Sequence, residues 1–229
     1  MKIAIIVPTL NEAATLPATL AAIDEDCEVQ VCDGGSSDGT PEIARRAGAR
    51  VILCERGRGQ QLRAGIARAA GDVLLFLHAD TIMVPGALAA LREALTDPAV
   101  SGGNFRVVFD GPTRFAAWLT RFYAWLRAHG MYYGDSAIFV RRSVLQEIGG
   151  VRPIALMEDY DLVRRLERHG GTVCIEEPPV ITSSRRFEGR RPWRIFCQWV
   201  LLHALYHARL SPDTLARIYR SAAHSPAKR

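Results

Sequence analysis

Four short, largely apolar runs punctuate the first part of the chain: IAIIV (3–7), EVQVC (28–32), RVILC (50–54) and DVLLFL (72–77). Their near-continuous apolar character suits strands covered on both faces of a sheet. Segments of helical spacing lie between them, at 12–24, 41–48 and 57–70. Alternation of this kind predicts a parallel sheet with crossover helices, a Rossmann-like nucleotide-binding half. After residue 98 the rhythm changes. SGGNFRVVFD (101–110) reads as a longer strand, 113–129 as a helix, SAIFV (136–140) as a short strand and 142–148 as a helix. Helical patterns return at 159–169 and 191–209, with strand-like TVCIEE (172–177) between them. The expectation is one α/β domain over 1–229, with a nucleotide-binding half at 1–98, a mixed half at 99–185 and a C-terminal helical extension at 186–229.

Composition narrows the picture a little. A chain of 229 residues, 48% of them hydrophobic, can bury a full core. No low-complexity linker or internal repeat divides it. The opening MKIAIIVPTLNE starts directly with a strand pattern and shows no secretory h-region, so a cytoplasmic location is expected. The five cysteines are odd in number, widely spaced and without a C-x-x-C pair, which reads as reduced, mostly buried thiols. Basic residues exceed acidic ones by 29 to 24. They are scattered, apart from SSRRFEGRRPWR (183–194) and a Lys228-Arg229 tail, and no nucleic-acid-binding module is recognisable, so nucleic acid is not expected as a partner.

The chemistry lies in four strings: VPTLNE (7–12), CDGGSSDGT (32–40), LHAD (77–80) and MEDYDL (157–162). The first three follow predicted strands, and polar residues there gather at the carboxyl edge of the sheet, where open α/β sheets bind ligands. Glu12, Asp33, Asp38 and Asp80 would share one crevice, joined by Glu158 and Asp159 from farther along. Crowded carboxylates need a positive partner. A divalent cation, Mg²⁺ or Mn²⁺, with a nucleoside diphosphate is the natural occupant. Several of these residues also have local readings. Asp33 and Asp38 suit turn capping, Thr40 before Pro41 suits an N-cap, and Glu158-Asp159 suit a helix N-terminus. The glycines of CDGGSSDGT permit tight turns, but no G-K-[ST] follows to make a P-loop.

In this order the strings resemble the family 2 glycosyltransferases of the GT-A type, over roughly residues 1–185. The family's V-P-x-x-N-E string is matched by Val7, Pro8, Asn11 and Glu12, and its turn before S-x-D-G-T by Asp33, Ser36, Asp38, Gly39 and Thr40. The resemblance implies a GT-A Rossmann-like fold with a mostly parallel central sheet, flanking helices and a mixed acceptor-side half. It implies an inverting, metal-dependent transferase that takes a nucleoside diphosphate sugar donor. Asp33 is then assigned to the donor's nucleobase or ribose, with Pro8, Asn11, Glu12, Arg63 and His78 also on the donor side. Asp80 is assigned to the metal, and Asp159 is the general base with Glu158 beside it. YYGDSAIFV resembles the family's Gly-Asp-Gln region, which puts Gly134 and Asp135 near the acceptor. Three departures leave metal identity and donor open: Gly34 replaces a second acid, His78-Ala79-Asp80 replaces Asp-x-Asp, and Arg63 stands where Asn is common.

Outside the motifs, Arg185, Arg186, Arg190 and Arg191 are read as facing the donor pyrophosphate, an anionic membrane surface or solvent. Aromatic and apolar residues recur at helical spacing in 113–129 and 193–209, which suits core, a peripheral membrane contact with a lipid-linked acceptor, or a homodimer interface. His203 and His207 lie four apart without the Glu of H-E-x-x-H, so packing is expected of them. Two other classes compete with the transferase: a non-catalytic nucleotide-sugar-binding protein and a nucleotidyltransferase.

Overall fold

Side chains along the first strands divide strictly between two cores. Ile3, Ile5 and Val7 enter one, with Val73, Leu75 and Leu77, whereas Ala4, Ile6, Leu74 and Phe76 enter the other. The computed structural model describes residues 1–25, 27–187 and 191–223, the last four of these by backbone alone. Its strands are β1 (Ile3–Thr9), β2 (Glu28–Asp33), β3 (Arg50–Leu53), β4 (Val73–Phe76), β5 (Thr81–Met83), β6 (Gly102–Phe109), β7 (Ile138–Arg141) and β8 (Thr172–Thr182). They form one sheet in the order β3-β2-β1-β4-β7-β6-β8-β5. Pairings among β1 to β4 are all parallel, as is β6 with β8, whereas β7 is antiparallel to both its neighbours and β5 to β8. The sheet is therefore parallel over β1 to β4 and mixed beyond them.

The helices are α1 (Leu16–Ala21), α2 (Thr40–Arg46), α3 (Arg58–Ile66), α4 (Ala87–Ala94), α5 (Arg114–Ala128), α6 (Arg142–Glu147), α7 (Glu158–His169), α8 (Pro192–His207) and α9 (Pro212–Ala223). Helix α3 lies close against β1 and β2 because residue 65 is glycine: a Cβ there would stand 2.5 Å from Ile6 Cγ2 and 2.8 Å from Cys32 Sγ.

Several expectations change. The first helix starts at Leu16 rather than 12, because Asn11 is left-handed (φ 56°) and the amides of Thr15 and Leu16 fold back onto the Glu12 carbonyl. Strand β8 runs on to Thr182, past Pro178 and Pro179, because β6 shifts register between Phe105 and Val107 and resumes pairing at Val180. Strand β5 and helix α4 lie in segments to which the sequence pattern assigns nothing, whereas α9 falls within the expected C-terminal helical extension. Helix α4 buries Leu88 and Leu91, whereas three-residue β5 owes its extended form to pairing with β8.

The two aromatic helices separate in role. Helix α5 buries Ala116, Leu119 and Leu126 against the sheet. Helix α8 buries only Leu202, among its described residues. A stack of Trp118, Phe122 and Trp125 joins the two through Trp118–Trp193 and Phe122–Phe196 contacts. The expected core role therefore holds for α5 and fails for much of α8, whose Trp193, Val200 and Leu201 are each about half exposed. Cys197 on the same helix is exposed too, unlike Cys32, whose thiol burial pushes up to about 12.

Candidate active site

Strands β1 and β4 are neighbours on which the chain reverses its direction of travel across the sheet, and their carboxyl ends bear the first and third strings. Pro8 lies beyond the last β1–β4 pair, Ile6 with Phe76, so its missing N–H breaks no bond on that side. The loop after β1 is tied to the loop after β2. The Ser37 amide donates to Asn11 Oδ1 (2.9 Å), the Asn11 amide to Ser36 Oγ (2.8 Å) and the Glu12 amide to Thr40 Oγ1 (2.9 Å). Asp33 accepts from the amides of Gly35 and Ser36 and from the hydroxyls of Ser36 and Thr9. Four donors fill a carboxylate's acceptor positions, so this side chain shapes the turn. Asp38 likewise accepts from the Ala13 amide and from Thr40, whose hydroxyl hydrogen bond holds its carboxyl below the usual range. The residue preceding α2 is Gly39, not Thr40, which is the helix's first residue and anchors Glu12 instead.

The crevice acids meet around one cation. Arg185, just beyond β8, places Nη2 2.5 Å from Glu12 Oε2 and 3.2 Å from Asp80 Oδ2. Asp80 is fixed from behind, since the Ser183 amide donates to its carbonyl and Thr19 Oγ1 to that of Ala79. Burial raises the Asp80 carboxyl, Arg185 works against that rise and Glu12 adds to it. Two carboxylates converging on one positive group fit a Mg²⁺ or Mn²⁺ ion, which takes one or two protein carboxylates and completes its shell with water and phosphate oxygens. Among the described residues no three His, Cys, Asp or Glu side chains cluster as a self-sufficient cage. A metal here would rely on oxygens of the donor.

The other wall is built around the start of α7, where Met157 is left-handed (φ 69°) and turns the chain into the helix. Glu158 is buried and pairs with Arg58 Nη1 at 3.3 Å, and Asp159 Oδ2 is 4.0 Å from the same nitrogen. Burial raises the Glu158 carboxyl and Arg58 opposes it. Asp159 accepts from the Gly134 amide (3.0 Å) and the Tyr160 amide (2.7 Å). Glycine is needed at 134, because a Cβ would stand 2.6 Å from His78 Nε2 and 3.4 Å from Asp159 Oδ2. His78 is held neutral: burial, then Arg58 and Arg186, depress its pKa well below the usual value, and Nε2 has no hydrogen-bond partner among the described residues. Asp135 accepts from Tyr123 Oη at 2.8 Å, while its Oδ1 is buried without a partner among the described residues. Burial pushes the Asp135 carboxyl up to about 7, with Tyr123 opposing and Asp159 reinforcing the shift.

Of the residues singled out in the sequence, Glu12, Asp80 and Arg185 thus meet, as do His78, Gly134, Glu158 and Asp159. Arg63 does not join them: it is exposed on α3. The inward position on that helix is Gln61, which donates to the carbonyls of Thr9 (2.6 Å) and Cys32 (2.9 Å). Arg186 lies over the rings of Trp199 and Tyr219, and Arg190 falls outside the described residues. His203 and His207 each bond a tyrosine hydroxyl, Tyr133 and Tyr160, rather than sharing a ligand. Arg58 and Gln61 are functional candidates that sequence reasoning missed. A glycine-flanked arginine at the start of a helix was the available signal for Arg58.

Comparison with known proteins bears on the fold and the family. A mannosyltransferase of Pyrobaculum calidifontis, solved in complex with GDP-mannose and Mn²⁺, superposes with a TM-score of 0.65 at 25% identity, covering 97% of this chain and 69% of that one. An uncharacterised glycosyltransferase of Mycobacterium tuberculosis is 37% identical over 94 residues, 41% of this chain and 43% of that relative. An undecaprenyl-phosphate 4-deoxy-4-formamido-L-arabinose transferase of Aeromonas hydrophila is 34% identical over 107 residues, 40% of this chain and 33% of that protein. The matched segments thus span less than half of either relative. The model of the family described as glycosyl transferase family 2 matches residues 4–149, well over half of the chain. By that match the chain belongs to glycosyl transferase family 2.

Proposed function

We propose that the protein is an inverting glycosyltransferase that moves a sugar from a nucleoside diphosphate sugar to an acceptor hydroxyl, with Asp159 as general base. The observation that carries this reading is the close approach at Gly134, where a Cβ would stand 2.6 Å from His78 Nε2 and 3.4 Å from Asp159 Oδ2, so that the base candidate lies beside the string that bears the metal candidate Asp80. Inversion needs a base on the face opposite the leaving group. Asp159 meets that need with a carboxylate oriented by two backbone amides, and Arg58 balances the local charge. Glu158, paired to Arg58, positions that arginine. Arg185 supplies a guanidinium able to leave its two carboxylates for the donor diphosphate. Asp80, with Glu12 beside it, would hold a divalent ion, which when bound offsets negative charge on the departing diphosphate. Calorimetry with uridine, guanosine and thymidine diphosphate sugars, with and without Mn²⁺, tests the reading: one nucleoside class should bind, and Mn²⁺ should strengthen it. Binding of none of them with Mn²⁺ present overturns it.

The outer face of α8 supports a second reading, that the enzyme works on a lipid-linked acceptor at an anionic membrane surface. Trp193, Val200 and Leu201 form an exposed apolar stripe on this helix, with Trp125 of α5 also exposed. No Asp or Glu occurs in 111–134 or 189–212, whereas Arg114, Arg121, Arg191 and Arg194 are exposed there. Among the described residues no helix is long and apolar enough to cross a membrane, so attachment would be interfacial. Basic side chains near anionic lipid each add about 1 kcal/mol, which salt weakens. Co-sedimentation with phosphatidylglycerol vesicles should therefore be reversible and lost at high salt. No binding at low salt would assign the stripe to a partner chain instead.

A further inference from the structure

A second concentration of positive charge lies outside the crevice. Between α7 and the turn joining α8 to α9 is a cleft of about 490 Å³, lined by Arg152, Arg164, Arg209, Tyr206 and His207, with Asp161 the one acid among its described residues. Asp161 is already engaged twice, by Arg152 at 3.0 Å and by Arg165 Nε at 2.9 Å. Arg164 lies against the Tyr160 ring, and neither it nor Arg209 meets a carboxylate among the described residues.

The backbone at Arg209 sharpens the point. The Arg209 amide donates to the Tyr206 carbonyl (2.9 Å) and the Leu210 amide to that of Leu205 (3.1 Å), the paired bonds that close a helix when the first of the two donor residues is left-handed. Arg209 has φ 65°. Glycine takes that conformation without strain and arginine does not, so the turn geometry itself does not select this side chain, whose charge gains only the modest attraction of the helix end. The cleft also adjoins the candidate active site. His207 bonds Tyr160, the residue after Asp159, and His203 bonds Tyr133, the residue before Gly134.

We propose that this cleft binds a phosphate monoester, through Arg164 and Arg209 with Arg152 at its side. Two guanidiniums without acid partners among the described residues match a group that carries nearly two negative charges at neutral pH better than they match a single carboxylate. The planar forks and the aromatic wall of Tyr206 and His207 suit phosphate borne on an organic group. Such a monoester exists both in soluble metabolites and on lipids. The site stands independently of the transfer reaction, because its ligand is read by binding alone.

The test uses the full chain, its Arg209→Gly and Arg164→Gln variants, and two probes: glycerol 3-phosphate in calorimetry, and vesicles containing phosphatidic acid against vesicles of phosphatidylglycerol at equal charge. Each variant should weaken monoester binding by roughly tenfold or more, the size of a lost charge-assisted bond. Arg209→Gly should melt no lower than the wild type, since glycine suits that position, and a lower melting temperature would mean that the arginine serves the fold. Saturable binding of glycerol 3-phosphate identifies a soluble ester. A preference for phosphatidic acid that Arg209→Gly removes, without saturable glycerol 3-phosphate binding, identifies a lipid one. Absence of both, or binding unchanged in the two variants, overturns the site. Donor binding, followed separately, should be the same in wild type and variants, so failure here and failure of the transferase reading remain distinct.

Discussion

Asp159→Asn is expected to bind donor as the wild type does and to lose on the order of 10² to 10⁴ in turnover, the usual contribution of a general base. The geometry makes this substitution informative. The Gly134 and Tyr160 amides each donate to one oxygen of Asp159. Asparagine keeps one acceptor oxygen, but its amide nitrogen would face the other N–H, so a loss of about 1–3 kcal/mol in stability accompanies the change. A melting curve reads that structural component, and single-turnover transfer in folded protein reads the chemical one. If Asp159 only steadied the start of α7, the variant would lose that stability but turnover in the folded protein would survive. Full activity in the variant would pass the role to Asp135, whose unpartnered Oδ1 and carboxyl raised by burial to about 7 make it the next proton acceptor in the site. A protein that binds nucleotide sugars without transferring them would show no turnover to lose.

How much of this was legible in the chain follows from what each signal measures. Continuous apolar runs report burial on both faces, and β1 and β4 bear that out in the two cores, whereas β3, which lies at the sheet edge, keeps only Ile52 buried and leaves Leu53 exposed. Acids that follow such runs must emerge at the sheet's carboxyl edge, so the meeting of Glu12 with Asp80 could be anticipated. The identity of their shared cation could not: Arg185 is 173 positions from Glu12, and local spacing carries no information on that pairing. The same holds for Arg58 with Glu158, 100 positions apart, and for Gln61, which spans two strand ends. Helical periodicity shows that α8 has apolar residues on most of its surface, but it cannot say which of them face protein. Asp33 illustrates a third limit. Its place at a strand end was evident, yet only the hydrogen bonds reveal that Thr9, Gly35 and Ser36 occupy its oxygens.

Asp80→Ala is expected to abolish the Mn²⁺ dependence of nucleoside diphosphate binding while leaving the fold intact. The alanine variant keeps the Glu12–Arg185 contact at 2.5 Å, so the segment after β8 stays tied to the loop after β1. Backbone bonds that fix residues 79 and 80, from Thr19 and Ser183, do not involve the side chain that is removed. What disappears is the one carboxylate in the LHAD string. With no three-residue cage among the described residues, the remaining acids have nothing to replace it. Acidification should mimic the mutation in the wild type. Metal binding needs the ionised carboxylate, and burial raises the Asp80 pKa, so protonation begins at a higher pH than for an exposed aspartate. Mn²⁺-dependent binding should accordingly fade on lowering the pH before exposed carboxylates titrate, and the alanine variant should show no such limb. Calorimetric titration of folded wild type and variant, each with and without Mn²⁺, decides the matter: an undiminished Mn²⁺ effect in the variant would remove Asp80 from the metal site and leave Glu12 as the acid to examine.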